Sequence, residues 1–313
     1  MTFHAVGDTG GVNTPTYQEN VVSYMKADFQ SGDPTNSPSF FYHLGDVVYY
    51  DGEGANYYPE FYEPYANYHG PIFAIPGNHD GDVDPSTGET SLEAFVRNFC
   101  AQAPVLTADA KDAARTAMTQ PNVYWNLLTP LATIIGLYSN CPEGGQIAPA
   151  QVSWLQSELS AAPKGKAIIL AVHHPIYSAY GSKPGSQHLK SVLETACAAA
   201  SRAPHIVLTG HVHDYQRFSA PLLDKKDVPF IVAGAGGYNK ALHTLGSAFH
   251  SKPLPISIAG SDGVLENFKD DQHGYLKITV TKRDITCEYF AVPDPSVPQS
   301  QPLSPFDRVV VLL

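Results

Sequence analysis

No apolar stretch in the 313-residue chain is long enough to span a bilayer, so a membrane partner is not expected. Basic residues are scarce: Lys and Arg number 19 against 30 Asp and Glu, the formal net charge is −11, and no basic run interrupts the pattern. Nucleic acids are held through basic patches, so that partner class is set aside. The negative total also repels anions at long range, so any phosphate affinity must come from local charge, which bound cations supply. The four cysteines contain no Cys-x-x-Cys pair. Cys197 and Cys287 fall in helix-like and strand-like apolar runs and read as buried thiols. Cys100 and Cys141 flank the longest irregular region, where two free thiols are favoured over a disulfide. Solenoid-type repeats are missing. The chain opens almost directly on its first apolar run and offers no secretion signal to read.

What is present is a globular composition, 43% apolar and 16% charged, at a length that suits one two-sheet α/β domain over residues 1–313. Apolar runs that read as buried strands cover Phe3–Val6, Phe40–Leu44, Ile72–Ile75, Ala167–Val172 and His205–Thr209. Helical spacing marks Tyr17–Phe29, Pro59–Tyr68, Ser91–Cys100 and Ala150–Ala161, with Pro64 weakening the second. This alternation favours parallel or mixed strands wrapped by helices. Leu276–Val280 and Ile285–Phe290 predict an antiparallel hairpin, and Arg308–Leu313 a last strand after a Pro-rich strap over 293–305. Residues 82–122 and 239–274 are long, punctuated by Gly and Pro, and predict the rims of a site.

Each of the five runs ends in a polar segment: Gly7-Asp8-Thr9-Gly10, Gly45-Asp46-Val47-Val48-Tyr49, Gly77-Asn78-His79-Asp80, His173-His174-Pro175 and Gly210-His211-Val212-His213. Ligands collect at the carboxyl ends of strands in open α/β sheets, so five such tips can share one crevice. They would bring two aspartates, a tyrosine, an asparagine and several histidines, the donor set of a two-metal site. Asp46, at the middle tip, is the natural bridge. Asp8, Tyr49 and His213 complete one metal; Asn78, His173 and His211 complete the other. A free phenol ionises near pH 10, so a phenolate ligand at neutral pH implies a hard, highly charged ion.

Every piece also has a plainer reading. Gly-Asp after a strand can be only a turn. Gly7 to Gly11 could mimic a phosphate-cradling loop, although it lacks the Lys-Ser/Thr of a nucleotide P-loop. Tyr49 could belong to an aromatic surface with Tyr50, Tyr57, Tyr58, Tyr62, Tyr65 and Tyr68; its +3 offset from Asp46 argues for the site. His174 reads as packing or support for a ligand. His243, His250 and His273 read as solvated rim residues, and His4, His43 and His205 as core hydrogen-bonders.

Together the segments resemble the calcineurin-like metallophosphoesterase superfamily and, within it, the purple acid phosphatases. Most of the superfamily opens with Asp-x-His, whereas this chain has Asp8-Thr9-Gly10. Purple acid phosphatases share that change and carry Gly-Asp-x-x-Tyr, which Gly45, Asp46 and Tyr49 match. Gln151 to Leu155 and Gly234 to Gly237 also look like the family's, while 82–122 falls outside its pattern and an extra N-terminal domain of the plant type is not expected. The resemblance implies a four-layer α/β/β/α sandwich of two mixed sheets flanked by helices. It also implies two metal ions, Fe(III) with a divalent Fe, Zn or Mn. The expected reaction is hydrolysis of a small phosphomonoester by a hydroxide held on or between the metals. His79 would contact phosphate or protonate the leaving group, and His188 would contact substrate. Two alternatives stand beside it: a phosphodiesterase acting on small diesters such as cyclic nucleotides, and a scaffold that keeps the fold without catalysis. A periplasmic or secreted location follows from the resemblance alone.

Overall fold

Inside the apolar runs, successive side chains go to opposite faces of a sheet, and here both faces are buried. Ala167, Ile169 and Ala171 enter one core, whereas Ile168, Leu170 and Val172 enter another. Phe3 and Ala5 join the first of these cores, and Val6 points into a third. Three cores separate four layers. The computed structural model describes residues 1–12, 14–30, 37–141, 144–297 and 302–313.

The first sheet starts with β1 (Thr2–Val6), β2 (Pro38–His43) and β3 (Ile72–Ala74), all parallel. The second is built from β4 (Trp125–Leu128), β5 (Ala132–Leu137), β6 (Ala167–Val172), β7 (Ile206–Thr209), β8 (Tyr215–Leu222), β9 (Lys225–Ala233), β10 (Ile256–Ser257) and β11 (Val264–Lys269). The chain then returns to the first sheet with β12 (Gly274–Val280), β13 (Asp284–Ala291) and β14 (Asp307–Leu312). The strand orders are β14-β13-β12-β1-β2-β3 and β10-β11-β8-β9-β7-β6-β5-β4. Both sheets are mixed, as the sequence implied. Parallel β1–β3 and β5–β7 all end on the same side, and that shared side carries the five polar segments.

Helix α1 (Pro15–Ala27) covers the first sheet through Val21, Val22 and Met25. The expected helix over Pro59–Tyr68 is replaced by α2 (Gly54–Tyr57), a π-helical turn at Tyr58–Tyr62 and hydrogen-bonded turns beyond it. Pro64 explains the break: it has no N–H to give the Glu60 carbonyl, which accepts from Gln18 Nε2 at 2.6 Å instead. Tyr57, Tyr62, Tyr65 and Tyr68 are buried in the core under this segment, so they form no aromatic surface. Helix α3 (Glu93–Phe99) lies within the 82–122 rim and packs Phe95 and Phe99 into the same core.

On the far side, α4 (Pro149–Ala161) and α5 (Gln187–Ala200) cover the second sheet. In α5, Leu189, Leu193, Ala196 and Cys197 form one buried stripe, and the Ser186 hydroxyl caps it by accepting from the Leu189 N–H at 3.2 Å. The second rim, 239–274, is only partly loop: α6 (Ser247–His250) is followed by β10 and β11, which extend the sheet edge beside β8. The four cysteines are free, so Cys100 and Cys141 are not bonded. Of the Pro-rich strap, residues 298–301 lie outside the described residues.

Candidate metal centre

Asp8 follows β1, Asp46 and Tyr49 follow β2, Asn78 and His79 follow β3, His173 follows β6, and His211 and His213 follow β7. Backbone hydrogen bonds lock the tips together. The Asp8 N–H donates to the Gly45 carbonyl at 2.9 Å, and the Gly210 N–H to the His173 carbonyl at 2.9 Å. Two further bonds join the sheets across the crevice: His173 Nδ1 to the Leu44 carbonyl at 2.9 Å, and the His211 N–H to Asp8 Oδ2 at 2.8 Å. Asp8, Asp46 and His211 all have left-handed backbones, with φ of 57°, 54° and 68°. Such conformations cost about 1–3 kcal/mol each in non-glycine residues and concentrate at functional sites. Gly77 must be glycine for a different reason, since a Cβ there would collide with the Asp46 carboxylate.

The seven proposed ligands gather into two groups around Asp46. In the first, the Tyr49 hydroxyl lies 3.0 Å from Asp46 Oδ2, 3.2 Å from Asp8 Oδ1 and 3.4 Å from His213 Nε2, and His213 Nε2 lies 3.3 Å from Asp8 Oδ1. In the second, His173 Nε2 lies 3.3 Å from the same Asp46 Oδ2, and His211 Nδ1 lies 3.0 Å from Asn78 Oδ1. Ligand atoms of Asp46, His173 and His211 fall within 4.8 Å of one another. Asp46 Oδ2 thus belongs to both groups, as a bridging carboxylate requires.

The chemistry of this set fits cations. Asp8 and Asp46 are wholly buried, and among the described residues their ion-pair partners are histidines alone. Buried carboxylates without Lys, Arg or a metal are costly. Nδ1 of His173 donates to Leu44, which leaves Nε2 to hold a proton or a cation; that atom is buried and lies 3.3 Å from Asp46 Oδ2. A histidine whose Nδ1 is spoken for and whose Nε2 faces a carboxylate is arranged so that a cation can replace the Nε2 proton. Burial lowers the His173 pKa, but the charges of Asp46 and Asp8 outweigh it and raise it to about 9. Burial, reinforced by the charges of Asp46 and Asp8, pushes the Tyr49 phenol well above its ordinary value. Ionising Tyr49 there takes a cation within bonding reach.

A supporting shell fixes the ligand loops. Asp80, wholly buried, accepts from the N–H groups of Val47, Val48 and Gly77 at 2.8–3.3 Å, which clamps the second and third tips together. Burial and the nearby Asp46 charge raise its pKa to about 7. Glu60 accepts from the Tyr49 N–H at 2.7 Å, and burial raises its pKa to about 8. His43 bonds Thr9 Oγ1 at 2.8 Å. His174, as expected for a supporting residue, bonds Ser139 Oγ at 2.8 Å and rests its ring 4.4 Å from that of His211.

His79 is partly buried; its N–H donates to Asp46 Oδ1 at 3.0 Å, and Nδ1 donates to the Tyr50 carbonyl at 2.6 Å. Its Nε2 is thereby left to hold or take a proton. The structure does not bring His188 to this site: it is exposed in the first turn of α5 and does not line the adjoining cavity. Lys183, five residues earlier, does line it. His243 also departs from the solvated rim residue expected. Its Nδ1 accepts from the His213 N–H at 2.9 Å, and its ring stacks on His213 at 4.2 Å and on Tyr180 at 4.5 Å. Tyr238 packs 4.0 Å from the Tyr49 ring, while its N–H reaches the Asp8 carbonyl at 3.1 Å. No spacing in the sequence marks Lys183, His243 or Tyr238, because each reaches the centre from a loop distant from the ligand motifs.

A family model described as calcineurin-like phosphoesterase matches residues 1–215. Over 308 residues the chain is 24% identical to tartrate-resistant acid phosphatase type 5 of Mus musculus, covering 92% of this chain and 86% of that protein. Among solved structures, GAP50, the anchor in the inner membrane complex of Plasmodium, superposes with a TM-score of 0.64 at 17% identity, covering 98% of this chain and 89% of that one. Purple acid phosphatase PPD1 from yellow lupin (Lupinus luteus) seeds gives 0.63 at 14% identity, with all of this chain matched to 53% of that one. The two structural likenesses speak for the fold.

Proposed function

The chain belongs to the calcineurin-like phosphoesterase family, and from that premise we propose that it is a binuclear phosphomonoesterase of the purple acid phosphatase type. As a member of that family it is a metal-dependent phosphoester hydrolase. The finer reading rests on one observation: Asp46 Oδ2 is shared by two donor groups, and one of them includes a buried tyrosine hydroxyl. In this reading Asp8, Asp46, Tyr49 and His213 hold Fe(III), and Asp46, Asn78, His173 and His211 hold a divalent Fe, Zn or Mn. When bound, the two cations supply Lewis acidity toward phosphoryl oxygens and lower the pKa of water at the site. The protein supplies the rest. His173 keeps its Nε2 aimed inward through the bond of its Nδ1 to the Leu44 carbonyl, and the ring of His243 stacks against that of His213. His79 Nε2 carries the proton for the leaving oxygen and neutralises charge on it as the ester bond breaks.

GAP50 is an anchor with this fold, so hydrolysis does not follow from architecture alone. The complete ligand set is what favours the enzyme. Turnover of p-nitrophenyl phosphate should far exceed that of bis-p-nitrophenyl phosphate in the metal-loaded protein. Preference for the diester would transfer the assignment to a phosphodiesterase. No turnover of either, with metals bound, would favour the scaffold.

A further inference from the structure

A cavity of about 590 Å³ opens beside the centre, with Asn78 and His211 on its wall. The wall also carries Asn140, Ser182, Lys183 and Ser186, together with Asp82, Pro175 and Pro184, and no Phe, Tyr or Trp among the described residues. Lys183 is the single Lys or Arg along it. Its ammonium donates to the His211 carbonyl at 2.8 Å, which holds the charge next to the ligand loop. An ammonium has three donors, so two remain for another acceptor. Among the described residues no carboxylate lies within 4.0 Å of Lys183, so its charge is not spent in an ion pair. The same wall includes Ser186, the N-cap of the 14-residue helix α5, whose positive end therefore lies against the cavity. In a chain of net charge −11, Lys183 with the helix end gives an arriving anion a cationic side of the cavity, while Asp82 is the acidic residue on the same wall.

We propose that this cavity receives the leaving group and that Lys183 selects substrates whose leaving group carries a second anionic group, phosphate or carboxylate, close to the scissile phosphate. The hydrogen-bonding walls suit a hydroxylated, charged leaving group, and an aromatic one finds no ring to stack on there. The inference rests on the hydrolase reading above, with Lys183 as a specificity residue.

A matched pair of substrates tests it: 3-phosphoglycerate, which carries a carboxylate, and glycerol 3-phosphate, which does not. The metal-loaded enzyme should prefer 3-phosphoglycerate. Lys183→Ala should lose kcat/KM on it by about tenfold more than on glycerol 3-phosphate, the loss typical of one charged hydrogen bond, and Lys183→Arg should restore much of the preference. Calorimetry gives a second readout, since pyrophosphate should bind the wild type more tightly than orthophosphate and Lys183→Ala should erase that difference. Equal losses on both substrates, or no wild-type preference for the second anion in either assay, would overturn the proposal. Lys183-dependent pyrophosphate binding without hydrolysis of any phosphoester would instead strike the hydrolase reading and leave the anion subsite standing.

Discussion

Replacing His43 with alanine should weaken the protein through the loops that carry Asp8 and Asp46. His43 is wholly buried at the end of β2. Its Nδ1 accepts the Gly45 N–H at 3.2 Å, so its Nε2–H donates to Thr9 Oγ1 at 2.8 Å. Thr9 follows Asp8, and Gly45 precedes Asp46. Removing the ring leaves a hydroxyl and an N–H unsatisfied in a dry site, at about 1–3 kcal/mol each. The expected loss at pH 7 is therefore about 2–6 kcal/mol, a large share of the 5–15 kcal/mol typical of folded domains. The loss should shrink in acid. Burial lowers the folded pKa of His43 from 6.5 to about 3. The unfolded chain takes up a proton as pH falls through about 6.5, and folded His43 does not until about pH 3. Its contribution is thus intact above about pH 6.5 and declines by about 1.4 kcal/mol per pH unit below it, or about 2 kcal/mol by pH 5. Urea unfolding of the metal-free wild type and His43→Ala at pH 7 and pH 5 measures both effects. A loss below about 0.5 kcal/mol at pH 7, or a gap that does not narrow by pH 5, would refute the argument.

His79→Ala should retain both metals while kcat falls by about 10²–10⁴-fold, the usual contribution of a general acid; elemental analysis beside steady-state kinetics separates this from ligand loss, and wild-type rates would remove His79 from the chemistry. If Tyr49 binds Fe(III) as a phenolate, the iron-loaded protein should show a visible charge-transfer band that Tyr49→Phe abolishes without unfolding. A band that survives the substitution would leave Tyr49 as packing beside a centre without tyrosinate.

The clustering of the candidate ligands was legible because each sits within a few residues of a strand end, where type and spacing are set locally. Asp46 and Tyr49 are three apart and meet at 3.0 Å; Asn78 and His211 come from different sheets and still meet, because parallel strands deliver their tips to one edge. The supporting shell was harder to read. His243 lies thirty positions beyond His213, past sheet and loop, and Lys183 earns its place through a bond to a backbone carbonyl, which no side-chain pattern records. His188 lies apart from the cluster for the converse reason: the α5 stripe that buries Leu189 and Leu193 turns His188 outward. In the fold, β10 and β11 hid within a stretch whose Gly and Pro content reads as loop, and they pair on the edge beside β8. The tyrosine-rich segment offered a surface as the plainer alternative for Tyr49, because aromatic density near a site suggests one, whereas Tyr57, Tyr62, Tyr65 and Tyr68 fill the core beneath the first sheet.

A carboxylate shared by two cations fixes the metal stoichiometry, which can be measured directly. Elemental analysis of the purified chain after metal supplementation should find close to two transition-metal ions per protein, one of them iron. Asp46→Asn should lose both together, because Oδ2 belongs to both donor groups. A wild type that holds a single ion or none, or an Asp46→Asn variant that keeps its full complement, would contradict the bridged centre.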